Sequence, residues 1–296
     1  MKSVQIFTDS TSDVVKKFRE ENELDYVRMV FTFAGKNYDA DLDWANISPA
    51  EYYGMMRQGQ RAITGQVQSQ EIQTKFEAAL EKGLDVLYIA CSSKLSQSVN
   101  MAKTFSEELA KKYPDRKIVC YDSLRSNYAE GYMAINAAKM ALDGKSIDDI
   151  VKYLDENKLK YQTFATVGSL EWLKKAGRVK ASAAFFGNLF SVKPIIVGDK
   201  NGNNYAFKKV KGRKTSLDEL VSIIAERIEN PEQSYLFIEN ADCEKDAEYV
   251  KSEISKKINI KEIFISSIGP IVGSTVGPDS ITVNFYGKEV EIAGEE

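Results

Sequence analysis

Three stretches of the sequence set hydroxyls where an apolar run gives way to a helix-like segment. SVQIFT runs into DSTSD (Asp9 to Asp13), VLYIAC into SSKLS (Ser92 to Ser96), and KIVCY into DSLRSN (Asp122 to Asn127). Serine, threonine and asparagine are small neutral donors. The start of a helix adds free backbone N–H groups and the positive end of a dipole, and both favour an anion. Such a set suits a carboxylate or phosphate headgroup better than a metal ion. The candidate pocket residues on these stretches are Asp9, Ser10, Ser92, Ser93, Ser96 and Ser123. A plainer reading stays open: a strand-to-helix turn needs Ser, Thr or Asp to cap it whatever else it does.

The chain contains no histidine. That removes the Ser-His-Asp and Cys-His arrangements and the commonest zinc ligand. Cys91, Cys120 and Cys243 are far apart, and the first two end apolar runs, so buried thiols are expected. Neither GxxxxGK(S/T) nor GxGxxG occurs, so the usual nucleotide loops are missing. No metal and no cofactor are expected, and any catalysis would fall to carboxylates, lysine, tyrosine or hydroxyls.

Other segments supply further candidates. ITGQVQSQE offers Thr64, Gly65 and Gln66, a hydroxyl, a permissive backbone position and an amide, in what reads as a loop between helices. In KKAGRVKAS, Gly177 stands where a helix C-cap belongs, and Arg178 beside it could bind an anion or clamp two domains. The apolar segment Ala181 to Val192 reads as a helix whose Phe186 and Phe190 could wall a deep slot, although core packing explains them as well. IGPIVGSTVGPDS is punctuated by glycine and proline yet apolar, which suits a backbone lying close against a ligand or against another loop, and Gly273, Ser274 and Thr275 are its pocket candidates.

The elements that must position these residues alternate. Strand patterns at 3–8, 26–35, 86–91 and 117–121 are separated by helix patterns at about 12–21, 49–58, 70–82 and 97–113, with further helices at about 128–143 and 146–158. Ser48, Pro49 and Glu51 have the spacing of a helix start. Alternation of this kind implies a mostly parallel sheet, whose strand ends share one edge where ligands bind. After residue 160 the pattern changes to a strand at 163–170, a hairpin around Asp199 to Gly202, and helices at about 215–229 and 243–256 among three more strands. The expected architecture is therefore α/β in two domains, 1–160 and 161–296, with a ligand crevice between them.

The chain has 296 residues, which is long for a single core. A formal charge of −3 gives no general reason to bind nucleic acid. No apolar run approaches the roughly 20 residues needed to span a bilayer, so no membrane span is expected. A strand begins almost at once without a basic leader, so no signal peptide is expected and the location expected is cytoplasmic.

Taken in order, DSTSD, TGQ at Thr64, SSKLS, DSLRS, LKKAGRVKAS, KPIIVGDKNG, VKGRK and IGPIVGSTVGP resemble the DegV family over nearly the whole chain. The resemblance implies a two-domain α/β protein that holds a long-chain fatty acid between its domains and has no catalytic activity of its own. In FakB-like members the acyl carboxylate is presented to a separate fatty-acid kinase. The threonine of the family's T-S-Q-P motif falls on Thr64 and the last serine of S-S-x-L-S on Ser96, which implies that both hydrogen-bond the carboxylate. The chain departs from the family around the headgroup. Thr275 stands where a histidine is usual, Gln97 replaces a glycine, Gly65 and Val67 replace serine and proline, and Lys211 replaces an arginine. The alternative to a fatty-acid-binding protein is an enzyme or binding protein acting on a small polar or phosphorylated metabolite in the same crevice.

Overall fold

The computed structural model describes residues 2–181 and 192–294. Phe186, Phe190 and the apolar helix expected over 181–192 lie outside the described residues, apart from the two end residues.

The first sheet has the order β2 (Asp25–Val27), β1 (Val4–Asp9), β6 (Asp85–Ala90), β7 (Ile118–Asp122), and all its strands are parallel. Alternation along these strands feeds two cores. Phe7, Val86, Tyr88 and Ala90 pack with Ile72, Phe76 and Val99 on one face. Ile6, Leu87 and Ile89 pack with Tyr128, Met133 and Ile147 on the other. Both faces are covered, as a parallel sheet requires.

The helix Asn127–Leu142 is buried along nearly all its length. Its run of Ala, Gly, Met and Tyr leaves no polar stripe, so it can only lie between layers. One side meets β1, and another meets β8 (Tyr161–Thr166) and β14 (Ile281–Tyr286) of a second sheet. A side chain at Gly131 would bring its Cβ to 2.5 Å from the Ser12 carbonyl, so this close approach requires glycine.

The second sheet has the order β13 (Glu262–Ser267), β12 (Tyr235–Asn240), β14, β8, β10 (Val192–Gly198), β11 (Asn204–Lys211), β9 (Val179–Lys180). It is mixed: β12 with β13 and β11 with β9 are parallel, and the other pairings are antiparallel. The helices Arg213–Arg227 and Glu244–Ser255 cover one face with an aliphatic core.

A third, antiparallel sheet comprises β4 (Lys36–Asp39), β3 (Met29–Phe33) and β5 (Ile63–Val67). Here the structure corrects the sequence reading. The single strand expected at 26–35 is two strands in different sheets, broken at Arg28; along the second, Phe31 and Phe33 are buried while Thr32 is exposed. The TGQ segment is an edge strand and not a loop, because β3 supplies hydrogen bonds along it. The first helix starts at Lys16, while Ser10–Ser12 form a separate short turn capped by Asp9. IGPIVGSTVGP is mostly helix (Pro270–Val276). Ser48 caps the helix Pro49–Arg57 as its sequence implies, accepting the Glu51 N–H at 3.2 Å.

Candidate functional site

Strands β1, β6 and β7 are neighbours and end on one edge, so DSTSD, SSKLS and DSLRSN emerge side by side. The helix Pro270–Val276 and the strands β5, β8 and β10 close round them. The space enclosed is a cavity of about 500 Å³, within the range usual for small-molecule sites.

Thr64, Gly65 and Gln66 line it from β5, and Ser93, Lys94, Leu95 and Ser96 from the loop after β6. Arg178 stands at its exposed side, donating to the Ala176 carbonyl at 2.9 Å. Thr275 faces it from the helix Pro270–Val276, in company with Ile271, Val272 and Val276. Met29, Ala165, Val179 and Ile196 add apolar surface. Among the described lining residues the charged ones are Lys94 and Arg178, and no carboxylate is present. A cavity with hydroxyls, two cations and aliphatic walls offers an anion with an apolar body a favourable place; for a free cation it offers repulsion.

The local structure shows why these side chains are available. The SSKLS loop is a tight turn in which Leu95 N–H and Ser96 N–H both donate to the Ser92 carbonyl, at 2.9 and 3.0 Å. Asp122 ties two loops together by accepting from Ser93 N–H and Leu124 N–H, each at 3.1 Å. The Thr64, Gln66, Ser93 and Thr275 side chains carry no hydrogen bond within the described protein and so remain open to a ligand. Gly65 is tightly placed: an added Cβ would lie 2.7 Å from Val30 Cγ2.

Other candidates lie behind the wall. Asp9 is saturated, accepting from Thr11 N–H at 2.9 Å, the Thr11 hydroxyl at 2.5 Å, Tyr88 OH at 2.8 Å and Cys91 N–H at 3.0 Å. Ser10 donates to the Ala40 carbonyl at 2.7 Å and accepts from Met29 N–H. Ser92 donates to the Gly202 carbonyl at 2.7 Å, pinning its loop to the β10–β11 turn. Ser123 donates to the Arg125 carbonyl. Gly273 turns away from the cavity, where an added Cβ would meet Tyr53 OH at 2.2 Å, and Ser274 bonds the Ile271 carbonyl in its own helix. These six residues shape the walls, and the five that carry polar side chains have them already engaged.

Several lining residues escaped the sequence reading: Thr11, Asn127, Thr163, Gly198, Asn204 and Thr282. Thr163 and Ala165 alternate on β8, and Thr282 pairs with Ala165 across to β14. The period-2 pattern could have revealed them, but which face was the inner one could not be read without the sheet order. Buried Arg125, and not Arg178, is one of the side chains that clamp the two halves. It donates to the Lys158 carbonyl at 3.2 Å and the Asp199 carbonyl at 2.9 Å. Burial pulls its pKa down to about 10, which still leaves it a cation at neutral pH.

Two buried acid clusters stand behind the cavity. Glu130 meets the Thr8 hydroxyl at 2.9 Å and the Thr11 hydroxyl at 2.6 Å, and burial, then the Asp9 charge, push its pKa well up. Thr11 has one proton and already donates to Asp9, so a protonated Glu130 donating to Thr11 satisfies the set. Glu239 accepts from Asn127 at 2.8 Å and from Thr282 and Asn284 at 2.9 Å each, beside Asp13. Burial raises both pKa values, and for Asp13 the Glu239 charge adds to the rise. The pair therefore retains a proton above the ordinary carboxylate range. Burial also pushes the cysteine thiols up, Cys120 to about 11 and Cys243 to about 12, with Cys91 well above its ordinary value. None has the lowered pKa of a nucleophilic cysteine. No group of three or more His, Cys, Asp or Glu among the described residues could hold a metal ion. No described helix is long and apolar enough to cross a membrane.

A model of the DegV family, described as "Uncharacterised protein, DegV family", matches residues 3–288. A DegV domain-containing protein of Clostridium perfringens is 36% identical over 291 residues, 98% of this chain and 100% of that protein. Among solved structures, a DegV lipid binding protein from Thermotoga maritima has a TM-score of 0.83 at 25% identity, with 98% of this chain and 100% of that one covered. A DegV family protein from Thermus thermophilus, described by its fatty acid binding, has a TM-score of 0.85 at 24% identity, with 97% and 100% covered, and so shares the fold. With the family model matching nearly end to end, the chain belongs to the DegV family.

Proposed function

We propose that this protein binds a long-chain fatty acid, without transforming it, in the cavity between two domains, residues 1–160 and 161–296. The observation that carries this reading is the lining: aliphatic walls, open hydroxyls and two cations, with no carboxylate among the described residues. The carboxylate is held by Thr64 and Ser96, and Arg178 and Lys94 favour its charge. The acyl chain lies along Met29, Ile196, Ile271 and Val272. Each methylene buried contributes about 0.8 kcal/mol, so the chain supplies most of the affinity and the hydroxyls set orientation. The Thermotoga maritima relative, described as a lipid binding protein, supports the ligand class.

A carrier role is the finer part of this reading and comes from the family resemblance: a cytoplasmic acyl kinase would meet the carboxylate at the Arg178 side of the cavity. Thr275 cannot carry the positive charge that the family's usual histidine can, so transfer through such a kinase is expected to be slow. Organic extraction of the purified protein followed by mass spectrometry tests the binding claim. Near-stoichiometric fatty acid is expected. A protein that carries none and takes up neither added oleate nor palmitate, or that carries a polar metabolite instead, would overturn it.

A further inference from the structure

Ser98 is fully buried at the first position of the helix Ser98–Lys112 and does not line the cavity. Its hydroxyl nevertheless lies 2.8 Å from that of Ser96. Ser98 N–H also donates to Ser96 Oγ, at 3.2 Å. On its other side Ser98 Oγ accepts from the backbone N–H of Val67, at 3.2 Å, on the strand that carries Thr64.

Counting protons fixes the direction of this chain. A hydroxyl has one proton to give and room for two acceptances. If Ser96 donated to Ser98, then Ser98 Oγ would be filled by Val67 N–H and the Ser96 proton. Its own proton would then be buried with no acceptor, an arrangement proteins avoid. If Ser98 donates to Ser96, every group is satisfied. Ser96 Oγ then accepts twice, from Ser98 N–H and Ser98 O–H, and its one remaining valence is a proton aimed outward. The order is Val67 N–H to Ser98, Ser98 to Ser96, and Ser96 to whatever occupies the cavity. Hydrogen bonds linked in this way polarise one another, so the last donor favours a negatively charged acceptor.

We propose that Ser98 is a positioning residue that commits Ser96 to donating and makes the cavity select a carboxylate headgroup over a neutral one. It also ties the Thr64 strand to the Ser96 loop, so the spacing of the two headgroup donors depends on it. The inference rests on the fatty-acid reading above.

The test compares oleate with oleyl alcohol, which has the same chain and a neutral head, on wild type, Ser98→Ala and Ser98→Thr, with melting temperatures in parallel. Ser98→Ala should weaken oleate by about tenfold or more, the scale for a hydrogen bond to a charged group, and leave oleyl alcohol within about twofold. Ser98→Thr keeps the hydroxyl and should restore oleate binding. Equal loss for both ligands with a lowered melting temperature would make Ser98 purely structural and overturn the proposal, as would unchanged oleate affinity in Ser98→Ala. A wild type that binds neither ligand would overturn the fatty-acid reading itself, which separates the two failures.

Discussion

At the scale of single residues, Ser96 bears the most direct prediction. A carboxylate taken out of water needs donors in return, and Ser96 has a proton to give beside a helix start. Ser96→Ala should weaken fatty-acid binding by about 1.5–3 kcal/mol, read by calorimetric titration; unchanged affinity would remove Ser96 from the headgroup site. Thr64→Ala should act in the same direction, because its hydroxyl is open within the described protein. Residue types were the most legible feature of the sequence. Thr64, Gly65, Gln66, Ser93, Ser96, Arg178 and Thr275 stand out in it, and all line the cavity. Their neighbours Asp9, Ser10, Ser92 and Ser123 were not separable from them. A serine that lines a pocket and one that props up its wall look alike until their partners are known.

Among elements, β10 forms part of the cavity wall through Ile196 and Gly198. Gly198, its last residue, lines the space, and among the described residues a Cβ added there would meet nothing within 4 Å. Gly198→Val should therefore fill part of the cavity and shift the preferred acid to shorter chains, by about three carbons for the three added. The melting temperature should hold or rise, since valine suits a strand better than glycine. Chain-length preference measured across a saturated series checks this, and an unchanged preference would show that the acyl chain does not pass Gly198. Element types were mostly readable, including the hairpin around Asp199 to Gly202 and the parallel strands β1, β6 and β7. The exceptions have local causes. The β5 strand is a short edge strand with a glycine in its middle, which reads as a loop. The helix Pro270–Val276 holds a glycine that faces Tyr53, so its punctuation marks a protein–protein contact within the chain.

Across the whole molecule, the halves meet through buried polar groups that no pattern in the sequence announced. Tyr52 and Tyr53 donate to the carbonyls of Pro270 and Ile268, at 2.9 and 2.6 Å. Arg125 reaches the Asp199 carbonyl, and Asp13 meets Glu239. The chain lacks histidine, so flat behaviour near neutrality would be the expectation from composition. The acid pair changes that. Asp13 and Glu239 both hold their protons more tightly folded than unfolded, because burial raises their pKa values. The folded state then binds more protons than the unfolded state. Their contribution is fully present below the unfolded carboxylate values near 4, and is lost as pH climbs through the raised ones. Stability should fall from pH 5 to pH 8. Glu239→Gln should reduce that fall but leave the part due to Glu130, which is raised in the same sense. Melting temperatures of both proteins across the range check the prediction, and equal slopes would exclude the pair as its source. Asn127 and Thr282 bond Glu239 and also line the cavity, so any change in ligand affinity over this range should diminish in the same variant.

The most direct test of the binding claim is a crystal structure of the protein loaded with oleate. One acyl chain is expected in the cavity along Ile196 and Ile271, with its carboxylate within hydrogen-bond distance of the Thr64 and Ser96 hydroxyls. A cavity that stays free of oleate at saturating concentration, or an acyl chain with its carboxylate at the opposite end, would contradict this expectation.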